Sequence, residues 1–286
     1  MIKISNIFLK LILISGICLF LFENVEAVQD EEKEIAEFEM EISSFFEQLR
    51  KSQDDVEKLE INKKVIDVFN RMLSIEGSFD FPFDSLKYLG KIYSPDRLLR
   101  IFSWNIPMLD GTYRYFGYIQ HKSSENGSLK VYFLDDSKNS RLTEDEVYTS
   151  DNWYGALYYE IIKTECQNKV FYTILGFAFN NYLTNYKIVD VLSFNNGEIT
   201  IGSPIFKVEE SLNFRKIFEY SARVSMMMRY EKERSMIVFD HLSPSQPDYE
   251  GQFQFYGPDS SYDGLEFRNC IWNLIEDLNL TNKERN

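Results

Sequence analysis

From Leu98 onward the apolar residues recur at every second position, run after run, with no helical stretch between the runs. A period of two is that of a strand with one face buried, so this part of the chain has few options other than an antiparallel sheet. Thr112 to Gln120 and Ser128 to Leu134 flank Glu125-Asn126-Gly127. Asn-Gly between two alternating runs is a hairpin signal, because both residues accept positive φ. Tyr154 to Lys163 and Val170 to Ala178 form a second hairpin around Cys166. Tyr186 to Phe194 and Glu198 to Phe206 form a third around Asn196-Gly197. The cleanest alternation runs from Phe218 to Tyr230, where only Met227 breaks the pattern, and reads as one long strand. Met236 to Leu242, Gln252 to Tyr256 and Gly264 to Trp272 read as further strands. A short helix is expected over Asn273 to Asn279.

The beginning of the chain has a different period. Lys3 and Lys10 supply a basic start, Leu11 to Phe22 an apolar core, and Val25-Glu26-Ala27 a cleavage site, the layout of a secretory signal peptide. The apolar run is shorter than the ~20 residues of a membrane span. Ile17 before Cys18 is not the small residue a lipoprotein signal requires. The expected exported chain begins at Val28 and does not span a membrane. Past that point, Ile35, Phe38, Ile42, Phe45 and Leu49 form one helical stripe, and Val56, Leu59, Val65, Ile66, Phe69 and Leu73 a second. They belong to a helical hairpin or to one bent helix, with a start signal at Ser52 to Asp55. The expected organisation is a signal peptide over 1–27, a helical segment over 28–76 and a linker over 77–97 with an amphipathic piece at Asp84 to Ile92. An antiparallel β domain of about ten strands follows over 98–273, then a short C-terminal helix and tail over 274–286. The fold class is α+β, with the sheet curled, sandwiched or closed into a barrel.

The stretch Met236 to Trp272 concentrates turn residues, Tyr and Asp between strand-like runs. It contains Phe239 to Pro244 (FDHLSP), Phe255 to Asp259 (FYGPD) and Ser261 to Phe267 (SYDGLEF). Together with Trp153 to Tyr159 (WYGALYY), Ile188 to Phe194 (IVDVLSF) and Phe218 to Ala222 (FEYSA), these resemble motifs of a family of uncharacterised secreted proteins from Bacteroidetes-type bacteria. The resemblance covers roughly Leu98 to the C-terminus. It implies secretion and a β-rich fold, and no chemistry. The family pattern does not require cysteines at Cys166 and Cys270.

The net charge of −14 repels phosphate backbones and anionic headgroups, so nucleic acid is not an expected partner. The two cysteines beyond the signal segment, Cys166 and Cys270, either pair in an oxidising compartment or stay separate thiols. The two histidines, His121 and His241, have no partner at metal-ligand spacing, and neighbouring Asp240, His241 and Ser243 do not make a triad from one strand. No cofactor motif is present. Asp135, Ser137, Asn139 and Glu146 fall at positions one, three, five and twelve of a calcium-type loop, with Ser140 where Gly is wanted. The loop is otherwise a solvated connection between strands.

The recognition surface is expected on Tyr256 to Gly264, read as a loop. Tyr256, Asp259, Tyr262 and Asp263, with His241, supply rings and acceptors for a partner. The expected function is that of an exported, non-catalytic cell-envelope protein, periplasmic or extracellular, that binds an envelope protein or a glycan. The alternative is a hydrolase of glycans or cell wall with an acidic cleft, which needs two carboxylates at a spacing that a sequence does not contain.

Overall fold

The computed structural model describes residues 28–124, 126–136, 141–167, 169–195, 197–208 and 210–279. The expected signal peptide and the end of the polar tail lie outside them. The chain divides into two compact units, Met1–Tyr88 and Leu89–Asn286.

The first unit is a helical hairpin. Helix α1 covers residues 28–51 and helix α2 covers Asp55–Leu73. Only three residues join them, and Asp54 caps α2 by accepting from Glu57 N at 2.8 Å. Arg71, in the last turn of α2, reaches Glu41 at 3.4 Å and lies over the Phe38 ring. Those contacts require the helices to run antiparallel, which rules out one bent helix. Glu39 is buried on α1 because its carboxylate accepts from Ser85 N at 2.5 Å, so the chain after α2 runs back along α1.

The second unit holds fifteen strands among the described residues, in three open sheets. A front sheet has β1 (Gly90–Tyr93), β2 (Leu99–Pro107), β3 (Tyr113–Lys122) and β4 (Leu129–Asp135), in that order. A central sheet has β5 (Leu157–Cys166), β6 (Lys169–Phe179), β7 (Thr184–Asn195) and β11 (Lys216–Ser221), in the order β11-β7-β6-β5, with β8 (Glu198–Ile201) also on β7. A back sheet has β9 (Phe206–Val208), β10 (Ser211–Asn213), β12 (Met228–Glu231), β13 (Met236–Pro244), β14 (Tyr256–Arg268) and β15 (Ile271–Ile275), in the order β10-β9-β15-β14-β13-β12. The pairings are antiparallel except β15 with β9.

The central sheet is covered on both faces. Tyr172, Ile174 and Ala178 of β6, with Ile188 and Leu192 of β7, join a core with Leu99, Ile101, Tyr115 and Ile119 of the front sheet. Leu175, Val189 and Val191 point the other way, into a core with Ile237, Phe239, Leu265 and Trp272 of the back sheet. This is why Ile188 to Leu192 reads as an almost continuous apolar run: a strand buried on both sides loses the alternation of a half-exposed one. The one charged residue in the run, Asp190, is fully buried and answered by Arg215, whose Nε lies 2.7 Å from its carboxylate. Burial pushes the Asp190 carboxyl above its ordinary pKa, against the pull of Arg215. Arg215 also donates to the carbonyls of Thr143, Glu146 and Ile201, and so straps the segment before β5 onto the central sheet. Gly202, with φ +115°, makes room: a Cβ there would meet the Arg215 guanidinium at 2.6 Å.

Several expected elements differ. The long strand Phe218 to Tyr230 is two strands, β11 and β12, in different sheets. Its alternation persists because Phe218, Tyr220, Met226, Met228 and Tyr230 all face the same core between those sheets. Glu198 to Phe206 likewise divides into β8 and the start of β9. The amphipathic piece in the expected linker ends as strand β1, which pairs Gly90 to Tyr93 with Ser103 to Arg100. Gly264 to Trp272 is not one strand but the β14–β15 hairpin. Its turn residues Asn269 and Cys270 both have positive φ, the primed turn that matches strand twist. The expected helix from Asn273 is instead the second half of β15, held by pairing of Asn273 with Glu266 and of Ile275 with Gly264. Gln252 to Tyr256 is a 3₁₀ turn over Phe253–Phe255 leading into β14.

Candidate binding surface

The stretch Tyr256 to Gly264, expected as a loop, is the first part of strand β14. It pairs with β13 on one side, Leu242 opposite Pro258 and Phe239 opposite Asp263. On its other side β15 begins pairing only at Gly264. Pro258 therefore sits on a free edge, where its missing N–H leaves no ladder bond unmade. A register shift between Asp240 and Leu242, and the left-handed φ of +81° at Ser260, absorb the irregularity that the Gly, Pro and Ser residues announce.

The strand pairing brings His241 and Asp263 together. His241 Nδ1 lies 2.7 Å from Asp263 Oδ2. The other oxygen of Asp263 accepts from Asp277 N at 3.2 Å. The hydrogen bond to Asp263, reinforced by the charges of Asp263, Asp259 and Asp277, raises the imidazole pKa against the smaller opposing effect of burial. The adjacent Asp240 is not part of this pair and accepts from Met227 N at 2.7 Å. Asp263 is buried with both oxygens engaged, so its carboxylate anchors β13 to the C-terminal segment. Asp259 is exposed and caps its own turn, accepting from Ser261 N and Oγ; those bonds, Oγ first, lower its pKa. Tyr256 and Tyr262 are half-buried.

Between β13 and β14 lies an aromatic loop, where the sequence pattern predicts a strand. Residues 245–255 close on themselves, with Ser245 N donating to Phe255 O at 3.0 Å and Gly251 N to the Tyr256 hydroxyl at 3.0 Å. Gly251 takes φ +76° in open space, the conformation that lets the loop reverse. Tyr249 stacks on Phe255 at 4.1 Å between centroids, and Phe253 lies 5.1 Å from Tyr256. Phe253 and Phe255 remain 40% and 38% exposed. Asp248 and Glu250 flank Tyr249 and are exposed. Part of the signal was in the sequence: Pro247-Asp248-Tyr249-Glu250-Gly251 is a turn composition, although Gln252-Phe253-Gln254-Phe255 alternates as a strand would.

The other expected site residues fall elsewhere. Asp135 ends β4 and pairs with Arg114 at 3.5 Å. Glu146 is exposed and gives its backbone carbonyl to Arg215. Ser137 and Asn139 lie outside the described residues. Among the described residues no group of three or more His, Cys, Asp or Glu is placed to hold a metal ion. Cys166 and Cys270 are joined in a disulfide that links the tip of the β5–β6 hairpin to the β14–β15 turn, and so the central sheet to the back sheet. Beside it, buried Trp272 donates from Nε1 to Thr173 Oγ1 at 3.1 Å. Also among the described residues, no helix is long and apolar enough to cross a membrane.

No protein family model, no curated protein and no solved structure matches this chain.

Proposed function

We propose that this chain is an exported, non-catalytic cell-envelope protein that binds a protein partner through the aromatic loop of residues 245–255 and the adjoining start of β14. The observation that supports this most directly is the exposure of Phe253 and Phe255 on a loop that is closed by its own hydrogen bonds. Compact self-closed loops of this kind on a rigid scaffold carry function disproportionately. Exposed rings flanked by Asp248, Glu250 and Asp259 suit a partner surface with apolar residues and Lys or Arg, since ring faces and carboxylates both attract cations. The net charge of −14 favours the same partner at long range. Export rests on the signal-like residues 1–27 and on the motifs resembling a secreted family.

The test is site-specific photo-crosslinking in exporting cells. A crosslinker at Phe253 is expected to trap one discrete partner, and the same group at Lys232, on the β12–β13 turn, none. Phe253→Ala with Phe255→Ala is expected to abolish capture by a crosslinker at Gln252 without lowering the melting temperature. Equal trapping from Lys232, or undiminished capture by the double variant, would overturn the proposal.

A further inference from the structure

At one end of the β unit, three hairpin tips converge around a second feature. Described residues beside the β3–β4, β5–β6 and β7–β8 turns line an open cleft of about 890 Å³ between the front and central sheets. Its floor is aromatic: His121 of β3 stacks on Phe194 of β7, with centroids 3.8 Å apart and planes nearly parallel. Burial lowers the His121 pKa, so the imidazole offers a neutral ring at pH 7. The Tyr132 hydroxyl donates to Gly197 O at 2.9 Å and ties the two walls together.

Among the described lining residues, the charge of this cleft is opposite to that of the chain. Lys130, Lys163 and Lys169 line it, and Asp96 is the carboxylate among the described lining residues. Asp96 is already engaged by the Tyr172 hydroxyl at 3.0 Å and by Lys163 at 3.4 Å, and Lys163 is shared with Glu165 at 2.6 Å. Lys130, which rests on the Gly197 carbonyl, and exposed Lys169 therefore provide the net positive charge. The remaining lining is rich in hydroxyls, among them Ser124 and Ser128.

From this lining we infer that the cleft binds a short anionic oligosaccharide. A sugar ring presents an apolar C–H face to the stacked His121–Phe194 pair and hydroxyl edges to the serines. A carboxylate or sulfate on the ring meets Lys130 and Lys169 from opposite walls. Short length follows from the chain's charge: an extended polyanion would be repelled by the acidic surface beyond the cleft. The site shares no residue with the aromatic loop, so either reading survives the failure of the other.

The experiment is calorimetric titration of the exported chain with trigalacturonate, a sulfated trisaccharide, fully methyl-esterified trigalacturonate and triglutamate. At least one of the two anionic sugars is expected to bind. The neutral ester, which lacks the charged hydrogen bonds to Lys130 and Lys169, and the peptide, which lacks the ring face and the hydroxyls, are each expected to bind at least about tenfold more weakly. Lys130→Ala and Lys169→Ala are each expected to weaken the sugar by about tenfold, with melting unchanged. The inference is overturned if neither anionic sugar binds at millimolar concentration, if the methyl ester binds as tightly as the acid, or if triglutamate competes equally. The last outcome would mean that the cleft selects charge alone.

Discussion

His121 and His241 begin with the same side-chain chemistry and are driven in opposite directions by their neighbours. His241 donates a hydrogen bond to Asp263, which raises its pKa; His121 is buried against Phe194, which lowers it. The consequences for stability have opposite signs. The His241 contribution is complete below the ordinary histidine value of ~6.5 and is lost as pH rises through its raised value. The His121 contribution is present above ~6.5 and is lost as pH falls toward its lowered value. Imidazole NMR titration of the folded chain is expected to give two curves on either side of ~6.5. Asp263→Asn should move the His241 curve down while leaving His121 in place. A His241 curve unmoved by that change would mean that the pair is not formed in solution.

At the scale of elements, the informative pair of units is the β5–β6 hairpin and the β14–β15 hairpin. Their tips carry Cys166 and Cys270, separated by 104 residues and joined. Closing so long a loop restricts the unfolded chain by about 4–5 kcal/mol on loop-closure entropy, with measured losses for native bridges of about 2–5 kcal/mol. Cys166→Ser with Cys270→Ser is expected to lower unfolding free energy within that range, read from the urea midpoint. The free-thiol count of the unreduced native chain should be zero among these two residues. An unchanged midpoint would mean that Trp272 and the surrounding core hold the two sheets together without the bridge.

Across the whole β unit, the central sheet contributes side chains to both cores, so the two are expected to unfold together. Ile174 and Leu175 are neighbours in β6, yet they face different cores. Each, changed to Ala, is expected to cost about 2–5 kcal/mol, the range for a buried branched side chain. Because the strand between them is shared, either change should lower the midpoint of a single transition. Two separate calorimetric transitions, one moved by Ile174→Ala and the other by Leu175→Ala, would show that the cores unfold independently.

What the sequence by itself determined about this protein was whatever depends on neighbours along the chain. The helical spans, the period-two runs, the turns at Asn126-Gly127 and Gly197 and hence the α+β class were legible, because helix, strand and turn preferences are local. The buried face of α2 was not, since Val56 of the expected stripe is exposed and Ile61, Val68 and Met72 are buried instead. Tertiary structure alone decided which sheet each strand joins. Phe218 to Tyr230 alternates with one exception, Met227, yet divides between two sheets, since alternation reports only that a face is buried and not against what. The same limit applies to the sites. The richness of Tyr256 to Gly264 in Tyr and Asp was visible, but the pairing that buries Asp263 against His241 and leaves Phe253 and Phe255 exposed was not. Lys130, Lys169 and Phe194 lie on three separate hairpins. A cleft is made by distances between chain segments that only packing sets.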